Sequence, residues 1–165
     1  NYSNKGWRSN RHRKERQEMS KSNTFENDLL ALIFNNTDIA DIGDAGGLQN
    51  SATAGSLYVA LHTADPGEAG TAATNEATYT DYARVAVARS GAGWTVSGSS
   101  VTNAAQITFP QCGASGNTIT HASITTASSG TSKILYSGAL SSSLAVANQI
   151  TPFFASSTGV TVTED

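Results

Sequence analysis

Residues 57–70 read LYVALHTADPGEAG, and this stretch contains the pattern on which the predicted fold depends. Leu57, Val59 and Leu61 occupy alternate positions, as in a strand with one buried face. The positions between them, including His62, would then point away from the apolar face. The stretch therefore predicts a strand, whereas the sequence before it has helical spacing.

The second half of this stretch predicts a turn. Asp65 can accept local backbone hydrogen bonds, Pro66 fixes φ, and Gly67 allows a positive φ. A calcium loop is the alternative, because several carboxylates could converge here. Their spacing matches no EF-hand loop, so the turn is the preferred interpretation and no metal is predicted. The carboxylates considered are Asp65, Glu68, Glu76 and Asp81.

Alternation with a period of two continues to the C-terminus, in YARVAVAR, GWTVS, AQITF, TITHASITT, KILYSGAL, QITPFF and GVTVTE. Clusters rich in Gly, Ser and Asn separate these segments, among them SGSSVTN and ASSGTS. The pattern predicts a mainly β fold, a β-sandwich or barrel of about eight short antiparallel strands. The residues expected on its inner faces are Leu57, Val59, Leu61, Val85, Val87, Ile107, Phe109 and Ile124.

One helix is predicted before the strands, from about Thr24 to Phe34, in SNTFENDLLALIFNN. Asn23 followed by Glu26 resembles a capping box. The predicted apolar stripe is Phe25, Leu29, Leu32 and Ile33, widened by Leu30 and Phe34. The predicted division is therefore a basic N-terminal arm (1–21), a helix with a connecting loop (22–55) and a β-sandwich domain (56–165).

Charge is unevenly distributed along the chain. Of 10 Lys/Arg and 13 Asp/Glu residues, residues 1–21 hold seven basic and two acidic ones, about +5, which leaves about −8 for the rest. The basic arm is predicted to bind an acidic partner surface. A solvated tail is the alternative, and so is an upstream leader before a start at Met19. The arm residues expected to bind a partner are Tyr2, Trp7, Arg8, Arg11, Arg13, Lys14 and Arg16.

Motifs for catalysis, cofactors and membranes are weak or missing in the sequence. His62 and His121 could form half a zinc site, and a Ser-His-Asp triad stays open because serine is abundant. Cys112 is the only cysteine and is expected in a turn. The chain contains no G-x-S-x-G, no glycine-rich phosphate loop, no H-E-x-x-H and no apolar run long enough for a membrane helix. We expect no catalytic residue and no cofactor.

Several of these segments together resemble a family of small tailed-bacteriophage virion proteins. They are FENDLLALIF, LYVALHTADPGEAGT, TNEATYTDYARVAVAR, GWTVSG, ITFP and ITHASI. The family is loosely labelled tail fibre, minor structural or capsid decoration protein. The similarity runs from about Met19 to the C-terminus and is most specific from Leu57 to Gly70, together with Tyr82-Ala83-Arg84. It implies a structural part of the virion, assembled in the host bacterial cytoplasm, with no catalytic residue to transfer.

The preferred function is a capsid decoration or cement protein that docks through its N-terminal arm. Its expected partners are other virion proteins, such as major capsid or tail proteins, and further copies of itself, with no membrane and no direct nucleic-acid role. A chain of 165 residues without repeats is short for a fibre. The alternative is a tail or tail-fibre protein that binds glycans through aromatic residues on its strands, and a hydrolase is a third hypothesis. The aromatic residues considered are Tyr58, Tyr79, Tyr82, Trp94 and Tyr136.

Overall fold

The computed structural model describes residues 19–164, and this part of the chain is mainly β. It contains one helix, α1 (Asn23–Asn35). The strands are β1 (Ser56–His62), β2 (Val85–Ala88), β3 (Trp94–Ser97), β4 (Ser100–Asn103), β5 (Ile107–Thr108), β6 (Asn117–Thr125), β7 (Ile134–Val146), β8 (Phe153–Phe154) and β9 (Thr161–Thr163). The prediction of a mainly β fold after one helix is confirmed.

The strands form three antiparallel sheets. The largest has the order β2-β1-β6-β7, the second β3-β4-β9, and the third contains only β5 and β8. Within residues 19–164 none of them closes into a barrel, so the open arrangement replaces the barrel alternative. In the largest sheet Val59 of β1 lies opposite Ile124 of β6. This register places the apolar residues of both strands on one face, as alternation requires.

A single cluster of buried side chains joins the helix to the sheets. Leu61 is 1% exposed and Phe109 is 2% exposed, and both contribute to this cluster. All the predicted inner-face residues are buried except Val85, which is half-buried. Val85 begins β2 at the edge of its sheet, where no further strand among the described residues pairs with β2. The predicted strand faces are therefore correct.

The buried face of α1 agrees with the predicted stripe at Leu30 and Phe34 but not at its centre. The buried residues are Glu26, Leu30 and Phe34, spaced by four, whereas Phe25 is 36% exposed. The helix packs against β3 and β4, and the Phe34 ring lies 4.9 Å from the ring of Trp94. Two apolar stripes with helical spacing overlap in this segment, and the position of the sheet decides which of them is buried.

Both ends of α1 are satisfied by groups that the pattern did not assign. The N-cap is Ser22, whose Oγ accepts a hydrogen bond from the Phe25 amide, so the capping box predicted at Asn23 is wrong. At the other end Arg89 donates from Nε to the Ile33 carbonyl and from Nη2 to the Leu32 carbonyl. These carbonyls have no partner within the helix. A cation at this end also interacts favourably with the negative end of the helix dipole.

Strand β4 lies in a segment that the sequence pattern assigned to a loop. Its residues pair with β3 across a tight turn at Gly98 and Ser99, and Val101 is 1% exposed. Asn103 looks like a loop residue but is fully buried. Its Nδ2 donates to the carbonyls of Ala105 and Ala155, and its Oδ1 accepts from the Val160 amide. A buried amide with all these bonds stabilises the sheet instead of ending it.

Candidate functional site

In the turn after β1, the carboxylate of Asp65 accepts a hydrogen bond from the backbone. Its Oδ1 accepts a 2.8 Å hydrogen bond from the Gly67 amide, and Gly67 has a φ of +70°. The Asn75 side chain donates to the Asp65 carbonyl. Among residues 19–164 no group of three or more His, Cys, Asp or Glu side chains could hold a metal ion. The geometry of Asp65, Pro66 and Gly67 is that of an Asx turn.

A cluster of buried polar side chains lies beside this turn, centred on Arg84. Its guanidinium donates two parallel hydrogen bonds to the Glu76 carboxylate, from Nε to Oε1 at 2.6 Å and from Nη2 to Oε2 at 2.8 Å. Its other bonds reach the turn before β7, at the carbonyls of Ala127 and Gly130 and at the Ser132 hydroxyl. All five N–H donors of the guanidinium are therefore used, and the side chain is only 1% exposed.

Tyr82 connects this ion pair to strand β1. Its hydroxyl donates to Glu76 Oε1 at 3.0 Å and accepts from the Leu61 amide at 3.0 Å. Burial raises the pKa of Tyr82, and the neighbouring Glu76 raises it further. The hydrogen bond to Glu76 also raises the pKa of Arg84. The phenol and the guanidinium therefore both keep their protons and act as fixed donors.

His62 forms a second buried pair, with Ser123. Its Nε2 lies 2.7 Å from Ser123 Oγ, and its Nδ1 lies 2.9 Å from the Thr74 carbonyl oxygen. That carbonyl can only accept, so Nδ1 carries the proton and Nε2 accepts from the Ser123 hydroxyl. Burial lowers the pKa of His62, which keeps the ring neutral. Residues 75–77 pair with the end of β1, and the Thr74 carbonyl contacts the ring. His62 is therefore fully buried although it points away from the apolar face.

This pair differs from a serine-hydrolase triad in two respects. The third member is the carbonyl of Thr74 instead of a carboxylate, since Glu76 is engaged by Arg84 and Tyr82. Ser123 is 3% exposed, whereas a nucleophile has to reach its substrate. The geometry is that of a satisfied hydrogen bond inside the fold.

The other candidate ligands and nucleophiles lie within ordinary packing. His121 is opposite His62 in the β1–β6 register, but its Nδ1 lies 2.9 Å from the Thr120 hydroxyl. Cys112 is fully buried, and its Sγ is 3.4 Å from the Ser115 carbonyl. The two histidines are therefore neighbours without a third ligand in the described part of the chain.

The aromatic residues do not form an exposed platform for a sugar. Trp94 is fully buried and Tyr79 is 2% exposed. Tyr82 and Tyr136 are half-buried, and the Phe34 ring stacks on Tyr136 at 5.7 Å. Burial raises the pKa of Tyr79 to about 12, and its hydroxyl donates to the Pro110 carbonyl. The aromatic side chains predicted for glycan binding are thus mostly part of the core.

The predicted arm is described only at its C-terminal end. Lys21 pairs with Glu164, and Tyr136 donates to the second oxygen of the same carboxylate at 2.9 Å. The hydrogen bond from Lys21 holds the pKa of Glu164 below its usual value. The predicted partner-binding residues of the arm, from Tyr2 to Arg16, lie outside the described residues.

Sequence analysis did not predict the cluster of Glu76, Tyr82 and Arg84, since it considered Glu76 only as a possible calcium ligand and Tyr82 only as a possible glycan-binding residue. Two features of the sequence were compatible with such a pair. Glu76 and Arg84 have opposite charges and lie eight residues apart, and Arg84 immediately precedes strand β2. Charged residues next to strands are usually solvated, so the pattern alone does not identify a buried pair. The cluster joins the segment after β1 to the turn before β7, and this is a structural role.

Comparison with known proteins identifies the family. The sequence profile of the family described as podophage GP4 fiber I protein gp80 matches residues 20–163, which is most of the chain. Among curated proteins no match is found. The structure contains no helix, among the residues it describes, with the length and apolar character needed to cross a membrane. The chain belongs to the podophage GP4 fiber I protein family, a family of bacteriophage virion structural proteins.

Proposed function

We propose that this protein is a non-enzymatic structural component of a phage fibre that assembles in several copies. The family match over residues 20–163 carries this proposal, because the family is described as a fibre protein. The internal geometry supports it. The side chains that could perform chemistry, His62, Ser123 and Cys112, are buried and engaged in hydrogen bonds within the fold.

A second location, on the capsid as a decoration protein, is supported by the charge distribution. Residues 1–21 carry about +5, whereas residues 22–165 carry about −8. An acidic shell surface would repel the body and attract the basic segment. We propose that the arm, with its arginines and the apolar anchors Tyr2 and Trp7, contacts an acidic neighbouring virion protein in either location.

Locating the protein in a density map of the particle, with its copy number, distinguishes the two sites. A fibre role predicts a few dozen copies or fewer at the tail, whereas a decoration role predicts on the order of hundreds over the shell. Density on the shell would exclude the fibre proposal. The absence of the protein from purified particles would refute both.

Deleting residues 1–18 tests the role of the arm. The truncated protein should bind less tightly to particles that lack the protein, and binding of the full chain should weaken as salt rises. Equal binding of both forms at low and high salt would refute docking through the arm. Chelation is the control for a metal: washing particles with EDTA should release none of the protein.

A further inference from the structure

The second half of the chain is almost without charge. From residue 90 to residue 163 the only Asp, Glu, Lys or Arg is Lys133, whereas nine acidic residues lie between Glu26 and Asp81. Most of those acidic residues are exposed. Two copies of the body would therefore repel each other through their acidic halves. Strand β7 itself carries no charge, and Glu68 and Glu164 lie beside its first half, so a second copy meets least repulsion along residues 138–146.

Strand β7 presents an open edge within this uncharged half. It ends the order β2-β1-β6-β7, and among the described residues no other strand pairs with its outer side. Its thirteen residues contain no charge and no proline. Open edges are normally protected by lysine, proline or short length. Two irregularities interrupt β7, one between Ile134 and Tyr136 and one between Ala139 and Leu144, and residues 136–139 form a regular ladder with β6 between them.

The opposite edge of the same sheet is protected. Strand β2 has only four residues, which limits the edge that it exposes. The sheet therefore has one edge that is short, and another that is long and uncharged. This asymmetry indicates that the β7 edge has a partner in the assembled protein.

A groove of about 330 Å³ lies beside the β7 edge. One wall is β7 and the other is β9, which is also the last strand of its sheet. Ile124, Phe154 and Val160 contribute apolar surface between the walls, and no charged residue lines the groove. An extended, uncharged segment can add to such an edge while alternate side chains enter the groove.

Large apolar side chains are also exposed in this half of the chain. Phe153 is 56% exposed, Ile150 is 42% exposed and Leu144 is 36% exposed. They lie in β7, in β8 and in the connection between them. Leu144 belongs to β7 itself, and an exposed apolar side chain on an uncharged edge strand is compatible with an interface, where charged residues are depleted.

We propose that a second copy of this chain docks against the β7 edge and the adjacent groove through the same surface of its own. A strand of thirteen residues spans at most about 43 Å. A strip of that length needs a width of only about 20 Å to reach the ~800 Å² per partner of a stable interface. This inference rests on the proposed assembly in several copies and names its surface.

Matched alanine-to-lysine substitutions in the full-length chain test this surface. Ala139 on β7 and Ala86 on β2 are both exposed, and they lie on opposite edge strands of one sheet. Sedimentation equilibrium should show that the wild-type chain self-associates. Ala139→Lys should weaken the association at least tenfold, whereas Ala86→Lys should leave it unchanged. Thermal unfolding followed by circular dichroism confirms that each variant is folded.

Several outcomes would overturn the proposal. A wild-type chain that stays monomeric at high concentration refutes self-association, while the virion role is tested separately on particles. Equal effects of Ala139→Lys and Ala86→Lys would leave assembly in several copies intact but remove β7 as its surface. Association that disappears at high salt, or on deletion of residues 1–18, would instead indicate contact between the arm of one copy and the acidic body of another.

Discussion

Replacing Arg84 by methionine should destabilise the fold by removing all five hydrogen bonds of the guanidinium while retaining much of the apolar stem. Glu76 is left with the Tyr82 hydroxyl as its remaining side-chain partner, and its side chain is only 18% exposed. Removing one partner of a buried ion pair costs about 3–5 kcal/mol. Because Glu76 retains some contact with solvent, we expect a loss of about 3 kcal/mol in the free energy of unfolding.

Urea denaturation at neutral pH measures this loss, provided that the slope with denaturant is unchanged. Lys133→Met is the matched control, since Lys133 is exposed close to the same turn and its replacement should change stability by at most about 0.5 kcal/mol. Replacing Glu76 as well, in Glu76→Met/Arg84→Met, should recover part of the loss because no uncompensated carboxylate remains. A loss below about 1 kcal/mol for Arg84→Met, or no recovery in the double variant, would refute the assigned role of the pair.

Two further predictions concern the helix face and the buried histidine. Leu30→Ala should lower the free energy of unfolding by about 2–5 kcal/mol, and Leu32→Ala should lower it clearly less because Leu32 is only half-buried. If the urea midpoints show the reverse order, the helix face is misassigned. Burial lowers the folded-state pKa of His62. As the pH falls below about 6.5, the imidazole is therefore protonated in the unfolded chain but stays neutral in the folded one. The free energy of unfolding then decreases by up to about 1.4 kcal/mol per pH unit. His62→Gln should remove this part of the pH dependence and His121→Gln should retain it; identical profiles for the wild type and His62→Gln would contradict the buried pair.

Local periodicity predicted much of the fold, because it reflects the geometry of single segments. Alternation along residues 57–61 identified β1 and its inner face, and Leu57, Val59 and Leu61 are all buried. A helix was predicted within one or two residues of its observed ends. Strand β4 was missed, since Ser, Thr and Asn resemble a loop in composition. It forms because Gly98 turns the chain back onto β3.

The errors concern features that depend on which elements meet. The apolar stripe of α1 was centred on Leu29 and Leu32 and only widened by Leu30 and Phe34, but Leu30 and Phe34 are the apolar residues that are fully buried. The aromatic residues were considered as a binding platform, yet Trp94 is fully buried beneath the helix. In both cases the residue types were compatible with either role, and only the packing of distant segments distinguishes them.

The sequence by itself determined the β class, the single helix, the inner face of β1 and the charge contrast between the two halves of the chain. These properties follow from residue order and local backbone geometry. Only the tertiary structure decided that Arg84 binds Glu76 and the turn before β7, since Arg84 and Gly130 are 46 residues apart. It also decided that β7 ends its sheet with an unpaired outer side among the described residues. Strand order arises from contacts between segments far apart in the chain, and no local pattern encodes it.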